Sequence, residues 1–454
     1  MNFMLNMSLL KDKFFVGNKR SIVVKKNIVG SIINKGISVV ISFMLVPMTI
    51  GYVSSELYGV WLTISSILTW LCFLDIGFSQ GLKNKLAEAI AVNDWKRGKH
   101  LVSTCYFMMF LILIPVCLVL EGIIPFIDWA TLLNVSPIYS GEISKTMYIL
   151  IAFACLQMIV NVVVSVVAAF QMVALSGSFN VIGNAISLLI IYILTKTCPP
   201  SLVALALTLA AMPVIITLIA SFILFKGKYK KVSPSFGYID KSYIKDLFCL
   251  GYKFFIINVQ VVVLYQSTNI LISYVSSPNE VTTYNIAYKL LSCAMMVYTL
   301  ITGPLWPAYT DAYTRGDFEW MKRMRSKMQK ILVLSILCCI LVAAISSPIY
   351  HLWIGNSVLI PFTMTVFVTI YVSVYCWMNL NGTLIVGMGK IKVETRLTII
   401  GMIAHIPLSL LLGKYWGVYG VLTSLIVINL LYAIIMHYQV CKILNKTAYG
   451  IWIK

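Results

Sequence analysis

The lysines and arginines of this chain are gathered into islands. When the sequence is parsed into twelve apolar spans, 29 of the 35 cations fall at the N-terminus, the C-terminus and every second loop. The islands are Lys11 to Lys26, Lys83 to Lys99, Lys226 to Lys245, Arg315 to Lys330, Lys390 to Arg396 and Lys442 to Lys454. The intervening loops hold only Lys145, Lys196 and Lys414, beside Glu56, Glu121, Asp128, Glu142 and Glu280. Polytopic membrane proteins keep their cytosolic loops basic. The pattern therefore predicts an even number of crossings with both ends in the cytosol. Three cations, Lys35, Lys253 and Lys289, fall inside apolar spans. A charge within the bilayer is costly, so these are the first candidates for function.

The spans run roughly over 28–50, 58–81, 101–124, 147–170, 179–195, 201–225, 249–276, 283–307, 331–354, 358–388, 395–413 and 417–441. Each approaches the roughly 20 residues needed to cross the hydrocarbon. Lipid-exposed backbone must satisfy its own polar groups, so the spans are predicted to be helices. A mean hydropathy of +0.92 agrees. In a soluble protein the net charge of +20 would point to nucleic acid. Here the cations are separated by membrane-length spans, which makes anionic lipid headgroups the expected neighbours and excludes nucleic acid. The basic segment 1–26 reads as a retained cytosolic tail.

The chain also reads as two copies of one unit. Tyr52-Val53-Ser54-Ser55 after the first span recurs as Tyr274-Val275-Ser276-Ser277 after the seventh. Asp94-Trp95-Lys96-Arg97 has its counterpart in Asp317 to Arg323, and Val181 to Ser187 aligns with Ile399 to His405. The expected fold is an all-α polytopic membrane protein of about 12 helices, in two six-helix halves related by an axis along the membrane normal. Its expected parts are a tail (1–26), an N-terminal half (27–225), a cytosolic linker (226–248), a C-terminal half (249–441) and a second tail (442–454).

Further along, Gly59-Val60-Trp61, Phe73-Leu74-Asp75-Ile76-Gly77-Phe78, Gly81 to Glu88, Tyr284-Asn285-Ile286-Ala287-Tyr288-Lys289-Leu290 and Pro304-Leu305-Trp306-Pro307-Ala308-Tyr309 follow one another in order, with Asn381-Gly382 and Gly389 to Lys392 beyond. In this order and spacing the chain resembles the bacterial O-antigen and lipid-linked oligosaccharide flippases, the polysaccharide transporter family of the multidrug/oligosaccharidyl-lipid/polysaccharide exporter superfamily. The resemblance implies alternating access in the cell inner membrane, carrying a polyprenyl-pyrophosphate-linked oligosaccharide from the cytosolic to the periplasmic leaflet. It also implies the partners: the lipid-linked oligosaccharide, membrane lipids, and a glycan polymerase with its chain-length machinery.

A pyrophosphate cannot enter hydrocarbon unaided. Lys35, Lys289 and Lys253 are the candidate pyrophosphate-binding cations. Lys35 and Lys289 lie about two turns inside their spans, roughly 10 Å. They either face a water-filled cleft or snorkel to the surface, and Lys253, a turn deep, fits snorkelling better. Asp75 is a candidate ion-pair or coupling partner for Lys35, as a static bridge or as a pair that substrate or a proton opens. Asn34, Asn258, Gln266 and Asn269 are candidate polar walls of the cleft, with hydrogen bonding between helices as the alternative. Tyr284 and Tyr288 are candidates for stacking on sugar rings. Pro304 and Pro307 are hinge candidates.

Eleven cysteines lack Cys-x-x-Cys spacing and four histidines are dispersed, so neither a metal site nor a cofactor is expected. A nucleotide-driven pump is disfavoured because no Gly-x-x-x-x-Gly-Lys-Ser/Thr loop occurs. A membrane glycan polymerase is disfavoured because the largest loop opposite the basic ones, Gly122 to Thr146, has neither histidine nor arginine. A small-molecule or multidrug exporter of the same superfamily is the nearer rival. Three intramembrane lysines against one aspartate favour an anionic cargo.

Overall fold

A computed structural model describes residues 19–75, 77–244, 247, 262–302 and 305–453 of the 454-residue chain. In chain order the N-terminal helices are α1 (Lys19–Val53), α2 (Ser55–Thr69), α3 (Phe78–Ala91), α4 (Trp95–Ile123), α5 (Trp129–Leu133), α6 (Ser140–Val160), α7 (Val162–Ala169), α8 (Val173–Thr197) and α9 (Leu202–Lys226). After a π-helical turn at Val262–Gln266 come α10 (Ser267–Val275), α11 (Pro278–Thr302), α12 (Leu305–Thr314), α13 (Phe318–Ala344), α14 (Ser346–Ile354), α15 (Phe362–Gly387), α16 (Lys392–Trp416) and α17 (Val418–Leu444). Every regular element among the described residues is helical, as the span pattern requires.

Nine helical stretches among the described residues are long and apolar enough to cross a membrane. They coincide with the first, third to sixth and ninth to twelfth expected spans, which makes this a multi-pass membrane protein. The seventh expected span falls largely outside the described residues, and the eighth corresponds to α11. The second span, expected to be continuous over 58–81, is broken instead. Helix α2 stops at Thr69, a 3-10 turn covers Trp70–Asp75, and α3 restarts at Phe78 after Gly77 at φ 82°. Asp75 Oδ1 accepts from the Ser79 N–H at 3.1 Å and from its hydroxyl at 3.0 Å. The carboxylate thus satisfies a backbone donor that the restarting helix leaves open.

The chain divides into two compact units. The first comprises Met1–Val53, Leu68–Trp129 and Ile138–Val259. Within it α1 packs on α8, α6 and α8 pack on α9, and α3 on α4. Asn34 Nδ2 donates to Ala174 O at 2.7 Å, tying α1 to α8. The second unit comprises Ser54–Ile67, Ala130–Pro137 and Gln260–Lys454, with α15 and α16 packed on α17 and α11 on α15. Most of α2 belongs to it because Thr282 Oγ1 on α11 donates to Ser55 O at 2.7 Å, and Ser55 Oγ to Asn279 Oδ1 at the same distance.

The internal repeat is visible in local structure. Asp94 and Asp317 each cap a long helix, accepting from Arg97 N at 2.9 Å and Trp320 N at 3.0 Å, and each follows a residue with positive φ, Asn93 or Gly316. In lipid, helices associate through close packing and hydrogen bonds, and small residues let backbones approach. Gly183 on α8 is such a point, since a Cβ there would lie 2.7 Å from Pro213 Cα on α9. Its repeat equivalent Gly401 on α16 faces the Tyr432 hydroxyl on α17 more closely still. One turn beyond, Ser187 Oγ donates to Thr208 O at 3.2 Å, and at the equivalent place His405 Nδ1 is hydrogen-bonded to Ser424 Oγ at 3.2 Å. His405 is buried at this contact between α16 and α17.

The linker after α9 is stitched to the first unit. Ser235 N donates to Ser103 Oγ at 3.0 Å, Asp240 N to Thr104 Oγ1 at 3.1 Å, and His100 Nδ1 is 2.9 Å from Tyr238 O. Lys99 stands over the Tyr238 ring and Lys231 over the Trp95 ring, 4.2 and 4.9 Å from their centroids. These cations are held by aromatic faces as well as by water.

Candidate functional site

The second unit gathers tyrosines. Tyr284 and Tyr288 on α11 stack with centroids 5.8 Å apart. Tyr288 meets Tyr371 on α15 at 6.0 Å, Tyr371 meets Tyr375 at 6.3 Å, and Tyr375 meets Tyr265 of the π-helical turn edge-on at 5.9 Å. Tyr265 Oη donates to Asn429 Oδ1 on α17 at 3.4 Å. The chain of rings follows from helix geometry. Tyr284 and Tyr288, like Tyr371 and Tyr375, are four residues apart and so share a helix face.

Beside the rings runs a line of amides. Asn285 Nδ2 donates to Asn269 Oδ1 at 2.8 Å and Asn269 Nδ2 to Ser66 Oγ at 2.9 Å, joining α11, α10 and α2. Lys289 lies one turn beyond Asn285 on α11 and is half-buried. A lysine, a line of amides and a row of tyrosines thus occur together on α11 and its neighbours. Flat rings with hydroxyl rims suit sugars, and the lysine suits an anion.

The remaining candidates lie elsewhere. Lys35 is an exposed residue of α1, and Asp75 hydrogen-bonds Ser79. No Lys35–Asp75 ion pair is present among the described residues. The pairing expected for them counted both from the cytosolic ends of straight helices, and the break at Trp70–Asp75 changes that count. Asn34 takes the helix-to-helix role. Gln266 is half-buried at the end of the π-helical turn. Lys253, Asn258 and Pro304 lie outside the described residues, and Pro307 falls in α12.

Two features were not found from the sequence. Tyr371 and Tyr375 sit in an apolar span where nothing but their four-residue spacing singles them out. Glu394 is the other. Surrounded by Lys390, Lys392 and Arg396, it reads as part of a cytosolic loop, yet it lies in the first turn of α16 and lines a cavity of 330 Å³ with Thr299 and Thr302 of α11 and Asn379 and Thr383 of α15. Its Oε2 is buried without a hydrogen-bond partner.

Comparison with known proteins places this arrangement in a family. Residues 24–312 match the family described as polysaccharide biosynthesis protein, well over half of the chain. The chain belongs to this family. The resemblance read from its motifs is therefore borne out. Its fold is that of the exporter superfamily. A multidrug resistance MATE family transporter of the MOP superfamily in an inward-facing conformation matches with a TM-score of 0.76 at 13% identity, covering 92% of this chain and 100% of that one. An outward-facing conformation of such a transporter matches with a TM-score of 0.62 at 14% identity, covering 94% and 97%. A MOP superfamily transporter from Pyrococcus furiosus Vc1 (DSM3638), described as having a binding pocket of reverse polarity, matches at 0.61 and 13% identity, covering 94% and 97%. A comparison with curated protein sequences finds no match.

Proposed function

We propose that this protein is a flippase that carries a polyprenyl-pyrophosphate-linked oligosaccharide, an O-antigen or capsule repeat unit, from the cytosolic to the periplasmic leaflet of the inner membrane by alternating access. The observation that carries the reading is the position of Lys289 beside the amide line and the tyrosine row, in a member of a polysaccharide family with an exporter fold. In this reading Lys289 compensates the pyrophosphate charge lost from water. The partly exposed rings of Tyr288 and Tyr375 offer stacking surfaces to successive sugars, with the buried rings of Tyr284 and Tyr371 packed behind them, while the lipid tail stays in the bilayer. The process makes and breaks no covalent bond, so the protein is a transporter and not an enzyme. Lys35 and Lys253 are proposed separately as further cations for the cargo's phosphates.

Multidrug export is the second reading, supported by the fold likeness to multidrug transporters and by Glu394, which would suit a cationic drug. Expression in a strain lacking its own O-unit flippase separates the two. Restored surface glycan without added drug resistance supports the first. Drug resistance without glycan would replace it with the second.

A further inference from the structure

A cavity of 570 Å³ lies in the first unit, between α4, α9 and the linker. Its walls are the rings of Tyr106, Phe107, Phe110 and Phe236, with Pro234 and Ile239. The linker wall is held in place, because Ser235 N donates to Ser103 Oγ at 3.0 Å and Asp240 N to Thr104 Oγ1 at 3.1 Å. Phe110 belongs to the membrane-length stretch Trp95–Phe126 and is exposed, as are Phe222 and Ile223 of the stretch Leu202–Lys226. Phe236, on the linker turn, is 91% exposed. In a membrane protein, an aromatic ring presented so openly beside apolar spans belongs at the lipid boundary.

The rim of the pocket is basic. Lys99 stands on α4 one turn before Ser103, its ammonium 4.2 Å from the centroid of Tyr238, which lies between the lining residues Phe236 and Ile239. Lys226 ends α9 with its ammonium folded back to 3.9 Å from the Phe222 ring. Neither lysine is in an ion pair among the described residues. The segment 226–241 carries five lysines against one acid, Asp240, whose Oδ1 already accepts from Ser242. An apolar pocket open to the bilayer, with cations on one rim, matches the two parts of an anionic phospholipid. A soluble anion would leave the aromatic walls unused. A zwitterionic lipid would bring a cation of its own to a rim that is already positive. We infer that this pocket seats one acyl chain of an anionic phospholipid whose phosphate is met by Lys99 and Lys226. The site lies wholly in the first unit, and the inference holds whichever cargo the protein carries.

The test is photocrosslinking of the purified full-length protein in phosphatidylcholine nanodiscs. The probe is a trace of phosphatidylglycerol with a diazirine on one acyl chain, and phosphatidylcholine with the same diazirine is the reference. Mass spectrometry maps the labelled residues. Labelling within 103–110 and 234–239 should exceed the reference by roughly fivefold or more, the increment one lysine contributes at an anionic surface. Lys99→Gln with Lys226→Gln should bring it down to near the reference. Lys390→Gln with Lys392→Gln, in another basic island, should leave it unchanged. Equal labelling by the two probes overturns the anionic assignment, and absence of labelling overturns the pocket. Undiminished labelling without Lys99 and Lys226 overturns the site, as does an equal loss without Lys390 and Lys392. Displacement of the probe by unlabelled polyprenyl phosphate where unlabelled phosphatidylglycerol fails would overturn the phospholipid as occupant. Should loss of Lys99 loosen the linker, Phe236→Ala removes an exposed wall of the pocket instead. Severalfold weaker labelling within 103–110 then supports the site and unchanged labelling overturns it.

Discussion

Asn285 and Asn269 are joined side chain to side chain, Nδ2 to Oδ1 at 2.8 Å, and Asn269 carries the line on to Ser66 at 2.9 Å. Three helices are thereby fixed at the depth where Lys289 sits. Hydrogen bonds between membrane helices average about 0.6 kcal/mol in double-mutant cycles. Asn269→Ala and Asn285→Ala should each lower stability modestly and couple by roughly that amount, because removing either one already breaks the bond. Unfolding of the two single variants and the double variant measures the coupling. Strict additivity would show that the bond contributes nothing in the membrane.

Lys289 separates a cargo role from snorkelling. A hydrogen bond to a charged group is worth about 1.5–3 kcal/mol. Lys289→Ala should therefore cut glycan export roughly 10- to 100-fold while the protein remains inserted, and Lys289→Arg should retain part of the activity with altered donor geometry. Surface glycan in a flippase-deficient strain, scored against protein level, is the readout. Full complementation by the alanine variant would remove Lys289 from the path.

Gly401 tests the repeat through packing. A methyl group there meets the Tyr432 hydroxyl, so Gly401→Ala should cost about 1–3 kcal/mol through overpacking. Adding Tyr432→Phe removes the nearest colliding atom but leaves the ring carbon behind it and Ile428 Cγ2 within 3 Å, so the double variant should regain only part of the lost stability. A double variant no better than Gly401→Ala alone would place the strain elsewhere.

How much of this was legible in the sequence depends on what kind of signal each residue sends. Periodic islands of lysine and arginine announced the helices, and Asp94 and Asp317 announced equivalent helix starts, because both signals are local. The same holds for Gly183 and Gly401. The break after Thr69 was not legible, since the residues around it are as apolar as a continuous span and only Gly77 marks the turn. Tyr284, Tyr288 and Asn269 stood out as polar groups in apolar company. Their partners Tyr371, Tyr375 and Ser66 come from distant spans and are brought in by tertiary packing alone. Glu394 was hidden by its neighbours, as helix rotation turns it inward while Lys392 and Arg396 stay exposed.

The lysine islands make a topological prediction. Cysteines introduced at Lys228 and Lys322 should be closed to membrane-impermeant reagents added from the periplasmic side and should react after permeabilisation. Periplasmic labelling of either one would overturn the parity of the crossings.

Asp240 provides a pH test in the linker. The N–H and hydroxyl of Ser242 hold its carboxyl below the usual carboxylate range, with His100 adding to the effect. The folded value is the depressed one. Its contribution is therefore complete above the unfolded value and is lost as the pH falls through the folded value. Limited proteolysis within 233–242 by an acid protease should become faster for the native chain as the pH falls below about 4, and Asp240→Asn should flatten that dependence. An unchanged profile in the variant would assign the acid sensitivity to another group.

The stitching of the linker to α4 changes what that segment can be mechanically. By sequence it is a rope of some twenty residues, long enough to let whatever follows it wander. With Ser235, Tyr238 and Asp240 fastened to Ser103, His100 and Thr104, its first two-thirds form a bracket that travels with the helices it grips. Lengthening the linker ahead of Ser235 would leave the bracket and its grip in place, whereas cutting the grip would lengthen the tether without adding a single residue.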